Sequence, residues 1–523
     1  MKIKISNIFF VIVVLLATVA CTANYEDINK NPYSTDSEEQ GRDGYNISAP
    51  LRTMQSNVIS TDVNRCHQTD ILLGGAYGRY ASESKASSWP NKFSTFDAPD
   101  GWSSVMFDEV IPEVYPAYIK LKGLTDDQIT LSIAEILKVL AIHRVADAYG
   151  PIPYSKIGAD GAIQVPYDSQ KDVYMKMFEE LDAAIDALTE RQTGSISTNA
   201  DLIFGGDVVK WIKLANSVKL RLAMRIVYAE PSIAKTKAEE AVNHSIGVMT
   251  SNDDNAALST FGIDGNPINV AVKYNDGDNR SVADMTAYMN AYKDPRRAAY
   301  FLKSGFTGVD YAGYRSGVSI GSVSEFKDYS IFNINRTTPL QWMNVAEVMF
   351  LRAEGSLRGW NMGGTAESFY NQAVTLSFSQ WGVTGADTYL ADATSFPNGY
   401  TDPSGKYSYN TQLSTVTVKW NTDDEANFEK SLERIIIQKW LANFPLGQEA
   451  WADRRRTGYP VMIPVVVNNS PNSILANSDI PRRCPYPAQE AINNTANYTA
   501  AVSMLGGADN IATRVWWDCK PNK

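Results

Sequence analysis

Histidine and cysteine are scarce in this chain of 523 residues, with three of the first and four of the second. Cys21, Cys66, Cys484 and Cys519 form no C-x-x-C pair, and His67, His143 and His244 are scattered, so the clustered ligands of a zinc or iron–sulfur site are missing. A concentrated basic patch is missing too. The net charge is -10, and the longest basic run, Arg454-Arg455-Arg456, follows Asp453, which points to ion pairing inside the fold and not to a phosphate-binding surface. No G-x-G-x-x-G or P-loop sequence occurs, so no nucleotide cofactor is indicated. After residue 21 no apolar run approaches the ~18 residues of a membrane span. Disorder is excluded by the opposite property: 44% of the residues are hydrophobic and 11% aromatic, ample for a large core.

What the chain does have begins at residue 1. Lys2 and Lys4 precede an apolar stretch from Ile8 to Leu16, and small residues then lead to Ala20-Cys21. This order reads as a bacterial lipoprotein signal, in which Cys21 is acylated and becomes the mature N-terminus. Thr18 stands where such signals usually carry Leu, and the alternatives are an ordinary secretory peptide cut near Ala20 or an uncut anchor. Residues 1–20 are thus read as signal peptide and 21–45 as a lipidated N-terminus and polar tether. Three cysteines remain for the body. A Cys484–Cys519 bridge stays open, with buried free thiols the preferred reading.

Beyond the tether, long amphipathic segments alternate with loops rich in Gly, Asn, Asp and Pro. Ile129, Ile133, Ile136, Leu137 and Leu140 recur at helical spacing between Asp126, a candidate N-cap, and the breaker Gly150-Pro151, which predicts a helix from Asp126 to Tyr149. The same reasoning predicts helices over Lys171–Leu188, Asp207–Tyr228, Pro231–Ile246, Gln341–Leu357, Thr365–Phe378 and Glu425–Asn443. They fall into antiparallel-looking pairs, which suggests a mostly α fold with a solenoid core, although no TPR-consensus repeat of 34 residues is found.

Two stretches break the helical pattern, Ser82–Gly101 and Met249–Pro339. Loops on a rigid scaffold are where binding usually resides. Sugar binding without catalysis asks for flat aromatic faces with amides, carboxylates or guanidiniums nearby to take the hydroxyls. The first stretch offers Trp89, Asn91, Phe93 and Asp97, with Trp102 at its end; the second offers Tyr274, Asn275, Asp276, Tyr311, Tyr314 and Arg315. The candidate ligand-binding set is Trp89, Trp102, Tyr274, Asn275, Asp276 and Tyr314. For each aromatic the competing reading is core packing, and Trp102 is the most exposed to it because Trp102 to Tyr118 reads as a core helix. Asn275 to Asn279 gathers hard oxygen ligands on a turn. Calcium is the metal such a turn would take, but the stretch lacks the EF-hand spacing and closing Glu, and a solvated turn is preferred.

Catalytic sets fail one by one. Gly317-Val318-Ser319-Ile320-Gly321 spells G-x-S-x-G, yet no His follows Ser319 to complete the order of a hydrolase triad. Ser82-Glu83-Ser84-Lys85 matches S-x-x-K without a K-T-G companion. Glu347 and Glu354 lie seven apart on one helix face, and a surface or salt-bridged pair beside Arg352 accounts for them better than glycosidase carboxylates do.

Longer motifs are more specific. Asn29-Lys30-Asn31-Pro32, Asp147-Ala148-Tyr149-Gly150-Pro151-Ile152-Pro153-Tyr154, Ala346-Glu347-Val348-Met349-Phe350-Leu351-Arg352-Ala353-Glu354 and Glu449-Ala450-Trp451-Ala452-Asp453-Arg454-Arg455-Arg456-Thr457-Gly458 occur in that order. Arg482-Arg483-Cys484-Pro485-Tyr486-Pro487, Gly506-Gly507-Ala508-Asp509 and Trp516-Trp517-Asp518 follow. With Cys21 they make the chain resemble the SusD/RagB-like outer-membrane lipoproteins. The resemblance implies one SusD-like domain over 46–523, mostly helical, with TPR-like helix pairs on one side and irregular ligand-binding loops on the other. It also implies a non-catalytic surface protein, lipid-anchored in the outer membrane, that holds a nutrient for a SusC-like TonB-dependent transporter. That nutrient is usually an oligosaccharide and in some branches a peptide. The motifs themselves look structural.

Overall fold

A computed structural model of the chain describes residues 44–83, 92–159, 161–274, 279–319, 322–424 and 427–521. Two compact units divide it: Met1–Ser48, with residues 44–48 described, and Ala49–Lys523. The principal helices of the second unit are α1 (Ile111–Leu124), α2 (Gln128–Tyr149), α3 (Gln170–Thr189), α4 (Val208–Arg225) and α5 (Pro231–Asn243). They are followed by α6 (Ala283–Ala291), α7 (Val345–Leu357), α8 (Ala366–Gln380), α9 (Phe428–Ala442) and α10 (Gly447–Thr457). Four short strands, β1 (Ala81–Glu83), β2 (Ala256–Leu258), β3 (Asn279–Ser281) and β4 (Leu340–Met343), make two separate ribbons, β1 with β3 and β2 with β4, both antiparallel.

Small polar side chains set the helix starts. Asp127, one residue after the expected cap, accepts the Thr130 N–H at the head of α2; Ser169, Asp207, Asn344 and Thr365 do the same for α3, α4, α7 and α8. Gly150, at φ +90°, closes α2 ahead of Pro151, a conformation that costs glycine nothing and an L side chain a good deal. The stripe Val173, Met177, Leu181, Ile185 and Leu188 of α3 is buried as its spacing requires. Helices α2 and α3, α4 and α5, and α7 and α8 pack as pairs, and α3 also lies against α4. The fold is therefore mostly α and built from paired helices.

Two elements depart from the periodicity. Residues 341–343 belong to β4 and not to the following helix, because all four residues of Leu340–Met343 are buried and three of them, Leu340, Gln341 and Met343, pair with Ala256–Leu258. The expected helix from Trp102 to Tyr118 is a short helix Asp100–Ser103, a π-helical run Met106–Val110, and then α1.

Buried charge holds the helices in place. Glu347 on α7 meets Arg221 of α4 at 2.7 Å and Lys439 of α9 at 3.5 Å. One turn pair later, Glu354 meets Arg456 of α10 at 2.6 Å and Arg358 at 2.8 Å. Asp453 joins Lys439 and Arg456, and Glu449 joins Arg225 of α4. The two glutamates are thus salt-bridged, though not by Arg352, which donates instead to the Met362 carbonyl. Arg455 completes the basic run by lying 3.6 Å from the ring centre of Trp451 and 4.7 Å from that of Trp517. Ion pairing inside the fold is what Asp453 and Arg456 do, while Arg454 and Arg455 donate to backbone carbonyls.

Cys66 and Cys484 are buried and Cys519 is exposed. Burial pushes the Cys66 thiol well up and that of Cys484 up to about 12. Alkylation with iodoacetamide at pH 8 is expected to modify Cys519 in the folded protein and the other two only after denaturant, as read by mass spectrometry of the peptides.

Candidate functional site

The β1–β3 ribbon brings together the two irregular stretches. Its pairs are Ala81 with Ser281, Ser82 with Arg280 and Glu83 with Asn279, joining segments about two hundred positions apart. Glu83 of the first stretch is thus the cross-strand neighbour of Asn279, within the second. Trp89, Asn275 and Asp276 lie outside the described residues. The described base of the two stretches is the ribbon itself.

Glu83 pins that base. Its two carboxyl oxygens accept the backbone N–H groups of Phe93 at 2.6 Å and Ser94 at 3.1 Å, tying the end of β1 to the return of the chain. Burial pushes this carboxyl up to about 8 against the pull of both N–H donors. Phe93 is fully buried with its ring against Tyr77, so it serves the core.

Tyr274 stands beside the ribbon, half-buried, with its ring edge-on to His67 at 5.7 Å and its hydroxyl 3.5 Å from Asn64 Oδ1. Burial lowers His67 to about 4, so its ring is neutral at pH 7, and its Nε2 meets the Asn279 amide at 2.9 Å. The result is a half-exposed aromatic beside a side-chain amide, the pairing that a sugar face and its hydroxyls require.

Trp102 is half-buried on the helix Asp100–Ser103, which is held to α2 where Tyr149 donates to the Ser103 carbonyl. Tyr314 overturns its expectation. Its backbone continues the ribbon, donating to Ser281 and accepting from Ala283, but its ring is 1% exposed and packs on Tyr329 at 4.9 Å within a cluster that includes Ala312, Val318 and Phe326. A ring enclosed in this way has no face to offer a ligand. In the sequence Tyr314 looked like a loop aromatic because the residues that cover it, Phe326 and Tyr329, lie a dozen or more positions away. Arg315 is likewise buried, donating to the Tyr407 and Pro464 carbonyls.

A concavity is lined by part of the second stretch. It is an open groove of about 720 Å³ lined by Tyr311, Phe396 and Tyr409, with Asn290, Asn398 and Asn410, and no charged residue lines it among the described residues. Tyr311 was legible as a candidate. The segment 394–410 was missed, and its density of Ser, Thr, Asn and Tyr was the signal that could have found it.

One group of potential metal ligands occurs among the described residues: His143, Asp147 and Glu449, all buried. Its donors are already engaged. Asp147 accepts from Trp517 Nε1 at 2.9 Å and from the Tyr174 hydroxyl, and Arg225 lies against both carboxylates. Two positive guanidiniums, Arg225 and Arg221, at this spot make it a node of the ion-pair scaffold and not a cation site. No helix among the described residues is long and apolar enough to cross a membrane.

Comparison with known proteins follows the same lines. Residues 27–518 match the family described as SusD-like, Susd and RagB outer membrane lipoprotein. A SusD homolog from Bacteroides uniformis is 47% identical with a TM-score of 0.88, the match covering 91% of this chain and 100% of that one. One from Bacteroides ovatus is 40% identical with a TM-score of 0.85, over 91% of this chain and 100% of that one. A chitin-binding SusD homolog from Flavobacterium johnsoniae is 37% identical with a TM-score of 0.86, over 91% of this chain and 99% of that one. No curated protein matches.

Proposed function

This chain belongs to the SusD-like family of outer-membrane lipoproteins, and from that premise we propose that it captures an oligosaccharide or polysaccharide at the cell surface and passes it to a TonB-dependent transporter of the SusC kind. Cys21 carries the lipid anchor in this reading. The observation that carries the choice of ligand is Tyr274, half-exposed beside Asn64 and next to the ribbon in which Ala81–Glu83 pairs with Asn279–Ser281. The tyrosine-lined groove, without a charged residue among the described residues that line it, supports the choice, since a peptide site would need fixed charges for the peptide's termini. The chitin-binding relative adds that a protein of this fold takes a neutral glycan. Capture and release need no bond to be broken, and the protein acts without catalysis.

Isothermal calorimetry against a panel of polysaccharides, chitin oligosaccharides among them, and a mixed peptide pool tests this. Saturable binding to at least one glycan is expected; binding to peptides alone would overturn the proposal. Losing a stacked aromatic face removes on the order of 0.5–1.5 kcal/mol beyond buried area. Tyr274→Ala and Trp89→Ala should therefore each weaken glycan binding about tenfold with little change in melting temperature. Tyr314→Ala is expected to do the reverse and lower the melting temperature, because its ring fills the core.

A further inference from the structure

We propose that the protein has a second, partly enclosed ligand site, between the β2–β4 ribbon and the C-terminal end of α8, that takes one small neutral sugar unit. The cavity there measures about 400 Å³, within the range of small-molecule sites and too confined for the middle of a polysaccharide chain. None of its lining residues belongs to the β1–β3 ribbon, and the site does not depend on that ribbon's face binding anything. Ile268, Ile334, Leu340 and Leu446, all buried, give it an apolar floor. The one charged residue that lines it, Asp70, is ion-paired to Arg144. The cavity therefore offers a charged ligand no counter-charge.

Its polar wall is unusual. Gln380 Nε2 donates to Gln341 Oε1 at 2.6 Å, which uses one donor and one acceptor of the two amides. The remaining atoms, Gln341 Nε2 and Gln380 Oε1, are closed off from solvent without a hydrogen-bond partner, and so is Trp381 Nε1. All three residues line the cavity. Buried polar groups are normally satisfied, so three neighbouring exceptions ask for an explanation. A hydroxyl both donates and accepts: one sugar hydroxyl donates to Gln380 Oε1 while a neighbouring one accepts from Gln341 Nε2. The terminal torsion of a glutamine is broad, and the bond between the two amides that turning them to the cavity gives up is replaced by the bonds to the sugar. Trp381 is held firm by Tyr300, 4.6 Å away, and supplies a fixed wall. The register shift opposite Ala256 and Ala257 leaves Trp342 as the extra, unpaired residue of β4, so β4 is the bulged strand at this point, and Ala257 lines the cavity beside it.

Calorimetry on the mature protein with glucose, galactose, mannose and N-acetylglucosamine, and with glucuronate and glucosamine as charged counterparts, tests the site. Saturable binding of at least one neutral sugar is expected, with the charged analogues at least about tenfold weaker. Gln341→Leu should abolish it and Tyr274→Ala should leave it unchanged. Should Gln341→Leu fold poorly, Ser259→Phe plugs the cavity from an exposed rim position and should abolish it as well. Binding lost on Tyr274→Ala but kept in the cavity variants, or no saturable binding of any of the four neutral sugars, would overturn the proposal. Neither result bears on polysaccharide capture at the β1–β3 face, which the glycan panel reads separately.

Discussion

Glu354→Ala is expected to be among the most damaging single changes in this protein, because it leaves the buried guanidinium of Arg456 and the partly buried one of Arg358 without their shared carboxylate. Glu354 is 1% exposed and joins Arg456 at 2.6 Å and Arg358 at 2.8 Å. Removing one member of a buried pair costs about 3–5 kcal/mol. The lower end applies, since Asp453 still accepts from Arg456 at 3.1 Å. The fall should appear as a lower midpoint in denaturant unfolding with an unchanged slope. Burial by itself disfavours the ionised form of Glu354, but Arg456 and Arg358 outweigh it and hold the carboxyl down at about 2, against an ordinary 4.5. Its folded pKa is depressed, so its contribution is present in full above about pH 4.5 and is lost as pH falls towards 2. The gap between wild type and Glu354→Gln should therefore close over that window. A gap that persists unchanged at pH 2 would show that packing, not charge, is what the mutation removed.

Trp451→Ala is the second large effect. The indole is 1% exposed, donates from Nε1 to the Pro481 carbonyl at 2.7 Å, packs on Tyr77, and carries the Arg455 guanidinium on its face. Its removal opens a cavity and costs about 3–5 kcal/mol, and it also strips one aromatic wall from an arginine that has no carboxylate partner within salt-bridge distance among the described residues. Trp516→Ala should cost less, since Trp516 is only half-buried while its neighbour Trp517 is fully enclosed. Chemical denaturation of the two variants side by side checks the ranking; equal losses would mean that burial does not order them. Glycan binding per folded molecule should survive in both.

The long helices were legible because their information is local. A residue such as Asp127 or Ser169 caps its helix within three positions, and a stripe such as Val173 to Leu188 repeats within five turns, so neither depends on anything distant. The error at 341–343 has the same root seen from the other side: those residues carry a helix-compatible pattern, and only the partner strand eighty-odd positions away makes them a strand. Glu347, Glu354, Asp453 and Arg456 of the longer motifs lie in the buried ion-pair scaffold, but which glutamate meets which arginine was not readable, since Arg221 and Glu347 share nothing in sequence.

The sequence by itself determined the paired-helix scaffold, the lack of clustered soft ligands for a zinc or iron–sulfur site, and the two stretches in which ligand contacts were to be sought, because composition, capping and periodicity act over a few residues. Only the tertiary structure decided which aromatics in those stretches are free. Tyr274 and Tyr314 sit in similar loop sequence, yet Tyr314 is enclosed by Phe326 and Tyr329 while Tyr274 stands half-open beside Asn64. The same holds for the groove at Tyr311 and Tyr409 and the cavity at Gln341 and Gln380, whose walls come from segments many tens of residues apart. Burial is a property of what packs on a side chain from elsewhere in the chain, and local sequence does not contain it.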